Sequence, residues 1–393
     1  MKIITVEAYI LNTGKPSFRP VVTRIMTDEG ITGYGEASLG FSSGPEGALG
    51  MIREIAPLVI GMDPMAHEAI WNRMYYDSFW GQGGGAAIMS AISAIDIAVW
   101  DIRGKALGVS VGTLLGGRMR DSLRAYASQI QFGWSKEGIT GGKGYSPDLL
   151  AEQAAAAVSD GYDAVKVNLL TYAPDGSRYG ILKGPLPGKV LREAERRMKA
   201  VREAVGEDVD ILLENHGFTD KEAALSLADV CAPYRAFFIE EPCTQEEVQN
   251  CAEFASRCSV PVAGGERIYG KRAFANFFEA RALAVAQPDV GSSGGITETK
   301  KICDMADTFD VNIQTHLSGS PIITAASVQL ESAVPNFLIH EHIVTCLSPA
   351  YRDLCIYDDQ PLGGRLSVPD RPGIGQELTG EAMEKALVKT VIS

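Results

Sequence analysis

The stretch Ile211-Leu212-Leu213-Glu214-Asn215-His216-Gly217 decides how the chain is read. Its apolar run is too short for a helix. It ends in a carboxylate, an amide and an imidazole, and a glycine stops it. Two later stretches repeat the design. Phe237-Phe238-Ile239 runs into Glu240-Glu241-Pro242, and Pro261-Val262-Ala263-Gly264-Gly265 runs into Glu266. Helix-like segments lie between them. Strands alternating with helices, with an acid at each strand end, predict a parallel α/β sheet whose carboxyl edge gathers charge. Three carboxylates on one rim repel each other unless a cation sits between them. Glu214, Glu240 and Glu266 are therefore candidate metal ligands. Oxygen-only donors suit a hard ion, with Mg²⁺ the first choice.

Outward from this point the alternation spans residues 121–342. The candidate strands are Leu123–Ser128, Ala164–Asn168, Asp210–Glu214, Ala236–Glu240, Val260–Ala263, Ala284–Gln287, Val311–Thr315 and Phe337–His340. Eight strands separated by helices predict a barrel. A Gly- and Pro-rich insertion, Thr171 to Gly188, follows the second strand, where it could fold over the site. Residues 1–120 read as an α+β unit, with a strand meander followed by helices. The longest helix, Ala86 to Leu107, repeats Ile88, Ile92, Ile95, Val99 and Ile102 at helical spacing. Residues 343–393 are loop and short strand, expected to pack back on the first unit.

Composition narrows the function. The chain of 393 residues has 49 acidic against 36 basic residues and a net charge of −13. No basic cluster stands out, which argues against nucleic acid and anionic membranes as partners. Seven cysteines, an odd number without a C-x-x-C pair, read as reduced thiols in a cytoplasmic protein. The N-terminus is strand-like and lacks a signal peptide's apolar block. Charges within the helix from Ala86 make it a buried soluble helix, not a membrane span.

Seven consecutive strand ends carry polar or ionisable residues, a pattern that reads as catalytic on a barrel. Asp289 and His316 lie one strand–helix unit apart, so their strands are neighbours. A carboxylate that accepts one ring proton raises the basicity of the other nitrogen, making His316 a candidate general base. His216 follows Glu214 by two residues, on the same face of a continued strand. Lys166 shares a strand face with Asn168 and points into the barrel mouth. Glu341 lies between His340 and His342 near the end of the eighth strand. Arg19 and Trp80 are loop residues placed to touch substrate.

In combination the motifs resemble the enolase superfamily, and within it the mandelate racemase-like acid-sugar dehydratases. The resemblance rests on Gly33-Tyr34-Gly35-Glu36-Ala37, the Ser93–Asp101 run, Leu114-Leu115-Gly116-Gly117, Ile239-Glu240-Glu241-Pro242, Gly265-Glu266-Arg267, and Gln287-Pro288-Asp289 with Gly294-Gly295. It implies a modified (β/α)₇β TIM-type barrel with an α+β capping domain, and a homo-oligomer. It implies Mg²⁺ on Glu214, Glu240 and Glu266, with His316 and Asp289 as the base dyad. Glu341 would contact the substrate carboxylate, and His216 would be a general acid. The expected reaction is dehydration of a sugar acid, an aldonate or aldarate, to a 2-keto-3-deoxy acid through an enediolate. There His316 takes the C2 proton, His216 protonates the departing 3-hydroxyl, and Lys166 helps to stabilise the charge. Two departures stand out. Glu214 occupies a position often held by Asp, and Lys166-Val167-Asn168 stands where racemases carry Lys-x-Lys. The galactonate and gluconate dehydratases are the nearer resemblance. A racemase, epimerase or cycloisomerase on the same scaffold, a carbon–carbon lyase on another metal-dependent barrel, and a non-catalytic binding protein are the rival readings.

Overall fold

The computed structural model describes residues 1–135 and 146–393. Three antiparallel strands open the chain: β1 (Ile3–Ile10), β2 (Val21–Thr27) and β3 (Thr32–Ala37). Helices α1 (Pro45–Ile55), α2 (His67–Asp77) and α3 (Ala86–Leu107) pack on them. The glycines of β3 make the close packing possible. A Cβ on Gly33 would lie 2.1 Å from Ala98 O, and one on Gly35 2.1 Å from Ala94 O. The strand therefore lies directly on the α3 backbone.

A one-turn helix, α4 (Val111–Leu114), leads into the second unit. Here β4 (Ser122–Ser128), β5 (Ala164–Val167), β6 (Asp210–Glu214), β7 (Ala236–Glu240), β8 (Val262–Gly264), β9 (Val285–Ala286), β10 (Asn312–Ile313) and β11 (His340–Ile343) run parallel. Between them lie α5 (Pro147–Ser159), α6 (Gly188–Val205), α7 (Lys221–Cys231), α8 (Val248–Arg257), α9 (Lys271–Glu279), α10 (Gly295–Thr308) and α11 (Pro321–Ala333). The sheet order is β10-β9-β8-β7-β6-β5-β4-β11, and a parallel bridge between Ile313 and Phe337 joins its two ends. This is a (β/α)₇β barrel.

The last strand differs from the expected Phe337–His340. It begins at His340, and Phe337 makes only the closing bridge. The polar run His340-Glu341-His342 stays within the strand because each side chain is buried with a partner. His340 Nδ1 meets Glu331 Oε2 at 2.6 Å, and His342 Nδ1 meets the Tyr162 hydroxyl at 2.6 Å. After a short helix, α12 (Pro349–Arg352), β12 (Arg365–Ser367) pairs with the start of β4. Helix α13 (Gly380–Glu384) precedes β13 (Val388–Ile392), which pairs antiparallel with β1.

The two units are joined by buried carboxylates of the first. Glu36, at the end of β3, accepts from Ser320 N–H at 2.8 Å, from the Ser320 hydroxyl at 2.6 Å and from Ile323 N–H at 3.2 Å, so it caps α11. Asp96 accepts from Thr297 N–H at 2.9 Å and from its hydroxyl at 2.6 Å. Asp101 accepts from Tyr34 N–H and Ile374 N–H at 3.0 and 2.9 Å and pairs with Lys105 at 2.9 Å. All seven cysteines are free thiols. Among the described residues no helix is long and apolar enough to cross a membrane.

Candidate active site

The strand register places the acids together. Glu214 and Glu240 are partners across β6 and β7, and Glu240 pairs with Ala263 of β8, three residues before Glu266. Lys166, on β5, is 1% exposed and forms the hub. Its Nζ lies 2.8 Å from Glu240 Oε2, 2.8 Å from Glu341 Oε1 and 3.4 Å from Glu214 Oε1. Burial alone would strip its proton. The three carboxylates outweigh burial and hold the ammonium well above the ordinary lysine range.

His216 sits just past β6 in a left-handed backbone, φ +51°, followed by Gly217 at +64°. That turn swings the ring back so that Nε2 lies 2.9 Å from Glu214 Oε1. Burial opposes the charged ring, but Glu214 raises its pKa above the usual value. Burial also opposes the Glu214 charge, and there His216 and Lys166 prevail and hold the carboxyl well below the carboxylate range. Asn168 Nδ2 lies 3.4 Å from His216 Nδ1.

On the opposite side, His316 Nδ1 meets Asp289 Oδ2 at 2.7 Å and its Nε2 faces Glu266 Oε2 at 3.3 Å. Burial works against its charge, yet Glu266 and Asp289 lift the imidazole to about 10. Asp289 is fixed in turn by accepting Gly291 N–H at 2.7 Å. Glu341 accepts from the Ser128 hydroxyl at 2.7 Å and from Leu317 N–H at 3.0 Å, so it ties β4 and the His316 loop to the Lys166 hub.

Glu214, His216 and Glu266 present donor atoms that all lie within 4.8 Å of one another, close enough to share one cation. Glu214 Oε2 is buried without a hydrogen-bond donor among the described residues, and Glu266 Oε2 has only the His316 ring, 3.3 Å away. Buried carboxylate oxygens in that state cost energy unless a cation meets them, so the donor set fits a divalent ion. Glu240 stands beside this group. Its Oε2 is already engaged by Lys166 and by Gln287 Nε2 at 2.7 Å. Burial raises the Glu240 carboxyl to about 7.

Gln287 and Gln314 stand at strand ends in the sequence without a role. Here Gln287 donates to both Glu240 and Gln314, a buried amide relay under the mouth. Ser128 was also missed; a hydroxyl at the end of the first barrel strand was its only signal. Arg267 pairs with Glu241 and lies 2.8 Å from Glu266. Arg19 and Trp80 are not brought to these groups by any contact among the described residues. Arg19 donates to Ser42 O at 3.2 Å, and Trp80 is 76% exposed, edge-on to Phe79 with ring centroids 5.0 Å apart.

Two family models cover most of the chain. The mandelate racemase/muconate lactonizing enzyme N-terminal domain matches residues 12–116, and the enolase C-terminal domain-like model matches 149–382. The chain belongs to the enolase superfamily. A solved superfamily member from Salmonella Typhimurium superposes with a TM-score of 0.96 at 43% identity, covering all of both chains. The D-galactonate dehydratase of Variovorax paradoxus is 33% identical over 382 residues, 96% of this chain and 93% of that protein. The D-gluconate dehydratase of Thermoproteus tenax is 31% identical over 365 residues, 93% of this chain and 69% of that protein. For an enolase-superfamily barrel, a mouth with a carboxylate trio on one side and a His–Asp pair on the other places charge where a carbon acid would be ionised.

Proposed function

We propose that the protein dehydrates a sugar acid to a 2-keto-3-deoxy acid. The observation that carries this reading is the placement of two imidazoles, His316 backed by Asp289 and His216 backed by Glu214, on opposite sides of one carboxylate-lined mouth. The galactonate and gluconate dehydratases among its relatives support it.

The metal-binding assignment is Glu214, Glu240 and Glu266, with Mg²⁺ as the ion. Bound to these oxygens, a divalent cation supplies positive charge to the substrate carboxylate and weakens the pull of Glu266 on His316. The other tasks fall to side chains. Lys166 remains an ammonium and faces the charge that builds on the substrate's carboxylate. Asp289 holds Nδ1 of His316, leaving Nε2 to take the C2 proton. His216, oriented by Glu214 2.9 Å from its Nε2, delivers a ring proton to the 3-hydroxyl as water departs. Loss of that hydroxyl leaves an enol that becomes the ketone. Glu341 and Asn168 orient the substrate.

A racemase needs a second base facing the same carbon. Lys166 is a poor one because three carboxylates keep it charged, and Asn168 lacks a basic group. The test is a panel of sugar acids incubated with Mg²⁺ and assayed for 2-keto acid. Metal-dependent ketone formation supports the proposal. Solvent hydrogen exchange at C2 without any ketone would favour the racemase or cycloisomerase.

A further inference from the structure

The insertion after β5 builds a second compartment beside the mouth. Its first part doubles back: Tyr172 and Arg178 form an antiparallel bridge, and Tyr179 N–H donates to Thr171 O. Its later part is strapped to the loop after β6. Leu182 N–H donates to Phe218 O, Asp220 N–H donates to Leu182 O, and Gly184 N–H donates to Asp220 Oδ2 at 2.7 Å. Arg197 of α6 holds the near side, donating to Leu169 O at 2.7 Å and Tyr172 O at 2.8 Å. Backbone hydrogen bonds at both ends make this insertion a wall.

Behind the wall lies a cavity of about 100 Å³ whose lining joins Asn168 and His216 to Thr171, Arg178, Tyr179 and Phe218. His216 belongs to both spaces, with Nε2 on Glu214 and Nδ1 toward Asn168. A sugar acid with C1 near Lys166 and its 3-hydroxyl at His216 must send its remaining carbons into this cavity. Arg178 is the one charged lining residue besides His216. Arg196 and Arg197 of α6 are both paired with Glu193, whereas no ion pair holds Arg178 among the described residues. Arg178 is exposed on the outer side of this lining, with its guanidinium 5.6 Å from the Tyr172 ring centroid.

We propose that the substrate is a dicarboxylate, an aldarate whose far carboxylate pairs with Arg178. The inference rests on the dehydratase reading and narrows it to a substrate class. A guanidinium offers two parallel N–H groups that match a carboxylate's two oxygens. The hydroxymethyl end of an aldonate would leave that charge unused. A phosphate, bulkier and more highly charged, calls for more cations than Arg178 alone at the far end of this lining.

The test pairs binding with turnover. Calorimetry on the His316→Asn protein with Mg²⁺ compares hexarates, hexonates and 6-phosphohexonates of matched configuration, and the wild type is assayed in parallel for 2-keto acid. The expected result is one hexarate bound about ten- to a hundredfold tighter than its hexonate, from charge-assisted hydrogen bonds. In Arg178→Gln the hexarate should fall to the hexonate's affinity, and Arg178→Lys should recover part of the difference. The proposal is overturned if no stereoisomer among the hexarates binds, if a hexonate or phosphohexonate is preferred, or if Arg178→Gln leaves the ratio as it was. Arg178-dependent hexarate binding without turnover of any sugar acid would uphold the subsite and reject dehydration. Hexonate dehydration equal in wild type and Arg178→Gln would do the reverse.

Discussion

His316 holds its proton to about pH 10 because Glu266 and Asp289 both face it. A cation on Glu266 would weaken that hold and free Nε2, and proton removal from carbon would then fall to this one ring. Replacing His316 with Asn keeps a polar group of similar size but removes the base. Turnover should fall about 10²- to 10⁴-fold, while Mg²⁺ binding by calorimetry stays within a few-fold. Retained turnover would reject His316 as the base. Lys166 poses a different question. Three carboxylates share its ammonium in a buried site. Lys166→Met should cost roughly 3–5 kcal/mol in metal-free urea unfolding, since removing one partner leaves buried charge uncompensated. Adding Mg²⁺ should restore part of that loss. A variant as stable as wild type without metal would mean that the carboxylates do not depend on the lysine.

At the scale of elements, packing of β3 on α3 fixes where Glu36 reaches the barrel. Gly35→Ala would drive a methyl into Ala94 O, which lies 2.1 Å from the added carbon. The strand must lift, at a cost of about 1–3 kcal/mol or more, readable as a lower urea midpoint. An unchanged midpoint would show that the contact is soft. The same elements show what the sequence made legible. Strands β6 and β7 coincide with the expected segments because apolar runs end abruptly at Glu214 and Glu240. Asp289 and His316 could be paired because adjacent strand–helix units make neighbouring strands. Strand β11 was displaced because burial pairs a polar triplet with partners distant in sequence, which periodicity cannot register. The engagement of Glu240 by Lys166 and Gln287 escaped for the same reason, and so did the cavity beside Arg178. Register tells which face a residue occupies, not which neighbour its last atoms choose.

For the whole molecule, the seam between the two units is held by acids that burial pushes upward. Glu36 and Asp96 are raised to about 7, and Asp101 to about 6. The folded state keeps protons that the unfolded chain, with carboxyl pKa values near 4, has released. Their contribution is full below the unfolded pKa and is lost as pH rises through 6 to 7. The wild type's unfolding free energy should therefore fall between about pH 5 and pH 7.5 relative to Asp96→Asn, measured by urea titration across that range. Parallel curves would reject the assignment. The pairing of β13 with β1 bears on biosynthesis. A ribosome that has already delivered the whole barrel still holds back the neighbour of the first strand. The cap, whose leading strands leave the exit tunnel earliest, is thus completed last, and assembly of this chain cannot proceed simply from its beginning to its end.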